Sequence, residues 1–226
     1  MKTPTPIAEI TGTGRFLPEN VVTNLDLERS LDTSDEWIRT RTGIHERRIA
    51  PDDMYAAHLG AEAARGALEE AGADPGDVDI LIVSTATPDR WLPSTACDVQ
   101  AILGCDKAVA FDVMAACTGH LYALSMAEGY IAAGRARIAL VVAAEKMSAI
   151  VDWTDRKTAV LFGDGGGAAV LQPSKGFGRG ILSSHLQSDG NLANLLYRPG
   201  GGAIDPISQS MLDEGRHLLR MNGREI

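Results

Sequence analysis

What this chain has little of sets its limits. Its 226 residues contain no apolar run long enough to span a bilayer. The opening Met1-Lys-Thr-Pro-Thr-Pro6 lacks the apolar core of a secretory signal. Three cysteines, an odd number, do not make a disulfide framework, so the reducing cytosol is the expected compartment. The five histidines (His45, His58, His120, His185 and His217) are scattered without metal-ligand spacing, and no metal is expected. A net charge of −9 excludes the broad basic footprint of a general nucleic-acid binder, though a local basic patch remains open. What is present is 45% hydrophobic and 23% charged, a globular balance with enough length for one large domain or two small ones.

The most informative stretch is centred on Cys117. Residues 109–113 (Val-Ala-Phe-Asp-Val) read as a short strand, Met114-Ala-Ala-Cys117 as a turn of small residues, and the following segment as a helix running to Gly134. A thiol at that junction sits beside the unpaired N–H groups of a helix start, which favour the thiolate and activate a nucleophile. The helix carries apolar or small residues on nearly every face (Leu121, Ala123, Leu124, Met126, Ala127, Tyr130, Ile131), so it is expected to be buried in a large fold. The alternative is a core cysteine, because free cysteine is among the most buried residue types.

Around this unit the chain alternates. Residues 7–14 read as a strand ending in a glycine turn, and Gly12-x-Gly14 hints at a dinucleotide loop. Arg15-Phe-Leu-Pro18 follows instead of a helix, so that reading fails. Asn24 is expected to cap a short helix through Leu31. Thr33 with Glu36 fits a capping box opening a second helix that Gly43 ends. On that helix Trp37 and Arg41 are four apart and share a face. An indole beside a guanidinium suits a nucleotide, one stacking the base and the other meeting phosphate; a tryptophan half-packed on the core with a solvated arginine is the alternative. Residues 55–71 form a helical stripe closed by Gly72, and 78–86 an apolar strand covered on both faces. Trp91-Leu-Pro-Ser94 opens a helix that carries Cys97 and ends at Gly104. Cys97 and Cys105 look like ordinary packing. Residues 137–144 are another strand and 152–158 a polar loop. Residues 158–162 and 167–171 are expected as two strands joined by a tight glycine turn with positive φ angles and close backbone approach. Beyond them, 177–186 reads as strand and 211–221 as helix. The alternation implies an α/β fold with a mostly parallel sheet.

Four motifs in order resemble the β-ketoacyl-acyl-carrier-protein synthase III family: Asp32-Thr-Ser-Asp-Glu-Trp-Ile-x-Thr-Arg-Thr-Gly-Ile44, Pro93-Ser-x-Ala-Cys97, Phe111-Asp-Val-x-Ala-Ala-Cys117-x-Gly119, and Trp153-Thr-Asp-Arg-x-Thr158 with Phe162-Gly-Asp-Gly165. The resemblance covers essentially the whole chain. It implies a thiolase-like fold, five layers αβαβα from two βαβαβαββ halves. Residues 1–172 would be the nucleophile-carrying half and 173–226 the truncated start of the second. It implies decarboxylating condensation of an acyl-CoA, often acetyl-CoA, with malonyl-acyl-carrier protein, in a cytoplasmic homodimer that needs no cofactor beyond its CoA thioester substrate. By position, Cys117 would take the acyl group, Trp37, Arg41 and Arg156 would hold the nucleotide end of CoA, and Thr33 would approach it. Membrane and nucleic acid are not expected partners.

Departures from the family pattern carry their own expectations. The family's histidine and asparagine, which serve decarboxylation, belong to the second half, and their motifs are absent here. His120 stands where the family has an apolar or aromatic residue; it could pair with Cys117 or serve as a core residue. Leu92, with Trp91, falls where relatives place a residue that limits acyl length. Arg47 and Arg48 are candidates for a basic patch facing the acidic carrier protein. Two other functions fit the resemblance: a starter-unit synthase or acyltransferase of a polyketide-type pathway, and a non-catalytic subunit of this fold.

Overall fold

The computed structural model describes residues 7–176, 178–223 and 225. In chain order the first elements are β1 (Ala8–Phe16), β2 (Val21–Thr23), α1 (Asn24–Glu28), α2 (Asp35–Thr42), β3 (Glu46–Arg48) and α3 (Ala56–Ala71). Next come β4 (Ile80–Ser84), α4 (Thr95–Leu103), β5 (Val109–Val113), α5 (Gly119–Ala132) and β6 (Ala139–Lys146). The last are α6 (Arg156–Ala159), β7 (Asp164–Pro173), β8 (Leu196–Tyr197), α7 (Gln209–Asp213) and β9 (Arg220–Met221). They group into two units. One holds the described residues up to Leu17 together with 51–145 and 165–186; the other holds 18–50, 146–164 and the described residues from 187 onward.

The first unit is built on a five-stranded sheet in the order β1-β7-β6-β4-β5. β4 runs parallel to β5 and β6, while β1 pairs antiparallel with β7. All five residues of β4, Ile-Leu-Ile-Val-Ser, are buried, as a central strand covered on both faces requires. Ile80 and Ile82 join Val141, Leu171 and the Ala123, Ala127 and Ile131 stripe of α5 in one core cluster. α3 lies against β1 with almost no gap: a Cβ at Gly14 would sit 2.0 Å from the Ala63 carbonyl oxygen, and one at Gly12 2.2 Å from that of Ala67. The Gly12-x-Gly14 pair is therefore a seat for a helix lined with alanine. α3 ends where expected, on Gly72 at φ 61°.

The second unit is smaller. Leu27, Ile38 and Val160 form its centre, with Val22, Leu31, Ile44, Trp153 and Leu161 packed around them. Asn24 is buried within this unit: its amide donates to Asp35 and to the Ile44 carbonyl, and its oxygen accepts from Arg47. β2 pairs with β3, and β8 with β9, each antiparallel.

Several expectations give way here. The cap of α1 is Thr23, in a reciprocal box with Asp26, which leaves Asn24 free for the core. The cap of α2 is Ser34, whose hydroxyl accepts from the Trp37 N–H; Thr33 stands one residue outside. Residues 158–162 are not a strand, because Asp155 caps the short α6 and the chain turns at once. The glycines 165–167 lie inside β7 without positive φ. Close approach explains them: a Cβ at Gly166 would meet the Leu59 carbonyl oxygen at 2.3 Å. Residues 178–186 contain no regular element, and Phe177 lies outside the described residues. The helix expected over 211–221 is a five-residue turn followed by β9, since Gly215 at φ 63° breaks it. Finally, α5 is buried on one face only; Leu121 and Met126 are exposed.

The tight seat between β1 and α3 yields a prediction. Gly14→Ala forces a methyl into backbone, and overpacking of this kind costs about 1–3 kcal/mol. Thermal unfolding should show a melting temperature lowered by several degrees, and an unchanged melting temperature would contradict the close seating.

Candidate active site

Cys117 lies just beyond the end of β5, which runs parallel to β4. β5 stops at Val113, a single 3₁₀ turn spans Ala116–Thr118, and α5 begins at Gly119. Ala116 is the only non-glycine with positive φ among the described residues, at 45°. An L residue pays for that conformation, and such strain collects at functional sites. The bend turns the chain sharply from strand to helix, and Cys117 is exposed. The core-cysteine alternative is thereby removed. Gly119 makes room for the neighbouring strand: a Cβ there would lie 2.2 Å from Ser84 Oγ.

Carboxylates hold the backbone around this elbow. Asp112, in β5, accepts from the N–H groups of Thr95 and Ala96 at 2.8 Å each and so tethers the start of α4 to the strand that leads to Cys117. The Phe-Asp-Val and Pro-Ser-x-Ala-Cys motifs are thus two ends of one contact. Glu145, at the end of β6, accepts from the Ala86 N–H at 2.8 Å and from Thr87 Oγ1 at 2.6 Å. Burial raises its pKa above the ordinary glutamate value, opposed by the Thr87, Ala86 and Thr85 hydrogen bonds. Asp89 accepts from the Ala57 N–H, with its pKa likewise raised by burial.

His120 occupies the first turn of α5. Its Nδ1 is buried without a hydrogen-bond partner among the described residues, and burial lowers its pKa, which favours the neutral imidazole. The other two cysteines differ from Cys117. Cys97 is half-buried with its sulfur 3.3 Å from Ser94 Oγ, and Cys105 is fully buried.

The nucleotide candidates belong to the second unit. Trp37, Arg41 and Arg156 line one cavity of about 680 Å³, together with Thr42, Lys157, Val160, Leu161 and residues 221–223. The Arg156 guanidinium lies 5.0 Å from the Trp37 ring centre, a cation–π arrangement, and donates to the Asp32 carbonyl at 2.5 Å. Helical spacing from Trp37 to Arg41 does put both on one wall, as expected. Thr33 is not among the lining residues, and its buried Oγ1 has no partner among the described residues. Sequence reasoning missed Lys157 and Met221-Asn222-Gly223, which reach this cavity through a bend and a short strand that no periodicity signals. Arg47 is no surface cation. It is only 5% exposed and donates to the Val22 and Val160 carbonyls and to Asn24 Oδ1, so it cannot join a basic patch. Arg48 is paired with Glu46.

A mixed α/β sheet with an exposed cysteine on the bend from strand to helix is thiolase-like. The profile for 3-oxoacyl-[acyl-carrier-protein] synthase III matches residues 111–190, which span the elbow and β7. The β-ketoacyl-[acyl-carrier-protein] synthase III of Natranaerobius thermophilus is 47% identical over 221 residues, covering 97% of this chain and 67% of that protein. The crystal structure of the 3-oxoacyl-[acyl-carrier-protein] synthase III of Aquifex aeolicus superposes with a TM-score of 0.85 at 45% identity, over 96% of this chain and 65% of that one. The priming β-ketosynthase of the R1128 polyketide pathway gives 0.84 at 35% identity, over 100% and 66%. The chain belongs to the β-ketoacyl-acyl-carrier-protein synthase III family. It spans about two thirds of the length of the curated relatives it matches.

Cys105 offers a pH test of the division among the thiols. Burial, then the nearby Asp106 and Asp74, push its pKa from 9.0 to about 11. Between these values the unfolded chain has lost the proton that the folded chain keeps, so stability falls as pH rises through that window, by on the order of 2–3 kcal/mol. Denaturant unfolding at pH 8 and at pH 10.5 should show the loss, and Cys105→Ala should reduce it. An equal loss in the variant would remove Cys105 as the cause.

Proposed function

We propose that the protein containing this chain condenses an acyl-CoA, acetyl-CoA foremost, with malonyl-acyl-carrier protein, and so begins fatty-acid synthesis. One observation carries the reading: an exposed thiol, Cys117, on a strained bend directly before a 14-residue helix. In the first step the Cys117 thiolate attacks the thioester carbonyl of acyl-CoA; the C–S bond to CoA breaks and CoA leaves as its thiolate, which takes up a proton. The acyl group is then held as a cysteine thioester, which divides one hard transfer into two easier ones. In the second, malonyl-acyl-carrier protein loses CO2, and the resulting enolate attacks the acyl carbonyl and expels Cys117 as thiolate. Backbone N–H groups at the elbow suit the oxyanion of each tetrahedral intermediate.

On this reading Trp37, Arg41 and Arg156 hold the nucleotide of CoA, with Thr33 close by. The indole supplies a stacking face and the guanidinium groups meet phosphate. Residues 1–172 are the nucleophile-carrying half, and 173–226 begin the second. The histidine and asparagine that the family uses for decarboxylation would come from the third of the relatives' length that this chain does not span. The enzyme would be a cytoplasmic homodimer and would need no cofactor beyond its thioester substrate. The edge position of β5 and the exposed Val109 on it support self-association, since an open apolar strand edge is otherwise a liability. The Natranaerobius thermophilus synthase III is 47% identical to this chain and the polyketide priming enzyme 35%, a difference that supports the fatty-acid reading.

Two measurements test the proposal. Incubation of the full-length protein with radiolabelled acetyl-CoA should leave one acetyl group on Cys117, and Cys117→Ser should abolish both labelling and condensation while melting normally. Turnover at the normal rate in that variant would refute the assignment. Arg41→Ala and Arg156→Ala should each weaken CoA binding by roughly tenfold, the scale of one charge-assisted contact. Unchanged affinity would remove the cavity from the substrate path.

A further inference from the structure

The elbow that carries Cys117 has little to hold it in place from within. Its own tether is local, with Thr118 Oγ1 and the Thr118 N–H both donating to the Ala115 carbonyl. Two further contacts come from the neighbouring chain at the end of β4. The Thr85 N–H donates to the Val113 carbonyl at 3.3 Å, and Ser84 Oγ fills the space that Gly119 leaves open. Residues 84 and 85 therefore form the back wall of the elbow.

That wall continues into Thr85-Ala86-Thr87, whose polar groups converge on one carboxylate. Glu145 Oε1 accepts from the Ala86 N–H at 2.8 Å; Oε2 accepts from Thr87 Oγ1 at 2.6 Å and from Thr85 Oγ1 at 3.4 Å. Thr85 and Thr87 are themselves buried, and Thr85 Oγ1 accepts in turn from the Thr87 N–H. We propose that Glu145 is a positioning residue for the nucleophile: by fixing residues 85–87 it holds the wall against which the Cys117 elbow is set. The inference rests on the reading of Cys117 as the acyl acceptor. Glu145 touches no reacting atom; it acts through the backbone. Burial raises its pKa, and the hydrogen bonds to the wall oppose that shift.

The test is the acyl-transfer step in the full-length protein, with acetyl-CoA as donor. Glu145→Ala should slow acylation of Cys117 by roughly tenfold or more at saturating acetyl-CoA while the KM is unchanged, because a small misplacement of a reacting group has effects of this size. Glu145→Gln should retain most of the rate, since its carbonyl oxygen can accept from Ala86 while its amide donates to Thr87 Oγ1. Iodoacetamide labelling of buried Cys105 reports general loosening and should not change. Acylation at the wild-type rate in Glu145→Ala would overturn the proposal, as would a glutamine variant as slow as alanine or a slowdown matched by faster Cys105 labelling. If Glu145→Ala does not fold, Thr87→Val, which loses the 2.6 Å bond, decides by the same readouts. Failure of the wild-type protein to form acyl-cysteine would instead refute the reading of Cys117 itself.

Discussion

A parallel strand that stops in the interior leaves backbone donors that need acceptors, and an unpaired buried N–H costs as much as a lost hydrogen bond. Carboxylates meet much of that need here. Asp112 takes two N–H groups at the start of α4, Glu145 takes Ala86, and Asp89 takes Ala57. At the opposite end of the strands Asp79 takes the N–H groups of Arg137 and Ile138. In the second unit Asp164 accepts from the Ala50 and Ser148 N–H groups and the Ser148 hydroxyl. The acidic balance of the chain, −9 overall, is therefore partly internal: several of its carboxylates are structural pins rather than surface charge.

This arrangement separates the tasks of the three cysteines. One fold supplies a fully buried thiol whose proton is held tightly, a half-buried thiol against a serine, and an exposed thiol on a bend. Position relative to the strand ends makes the difference. Cys105 precedes a strand and is sealed by packing, whereas Cys117 follows one and is turned outward by the elbow.

Much of the first unit could be read from the sequence, because its strands and helices are marked by continuous apolar runs and by glycine caps. β4, β5 and the boundary of α3 at Gly72 fall where the residues say. Glycine was the ambiguous letter. Gly12-x-Gly14 and the 165–167 run can each signal a turn or a close approach, and only the facing alanine helix and the Leu59 carbonyl decide between them. Arg47 misled for a different reason: an arginine next to another arginine reads as surface, yet the carbonyls of Val22 and Val160 and the Asn24 side chain give its guanidinium a buried set of partners. The cavity around Trp37 was half legible. The indole and Arg41 follow from helical spacing, but residues 221–223 reach it through tertiary contacts that leave no periodic trace.

The left-handed bend at Ala116 also governs how this sequence can change. With φ at 45° the Cβ itself crowds the backbone, so β-branched residues fit worst, while asparagine and aspartate tolerate the conformation better. Glycine alone would sit there without strain, at the cost of more chain entropy to lose on folding. The residue before Cys117 is thus confined to a short alphabet by backbone geometry alone.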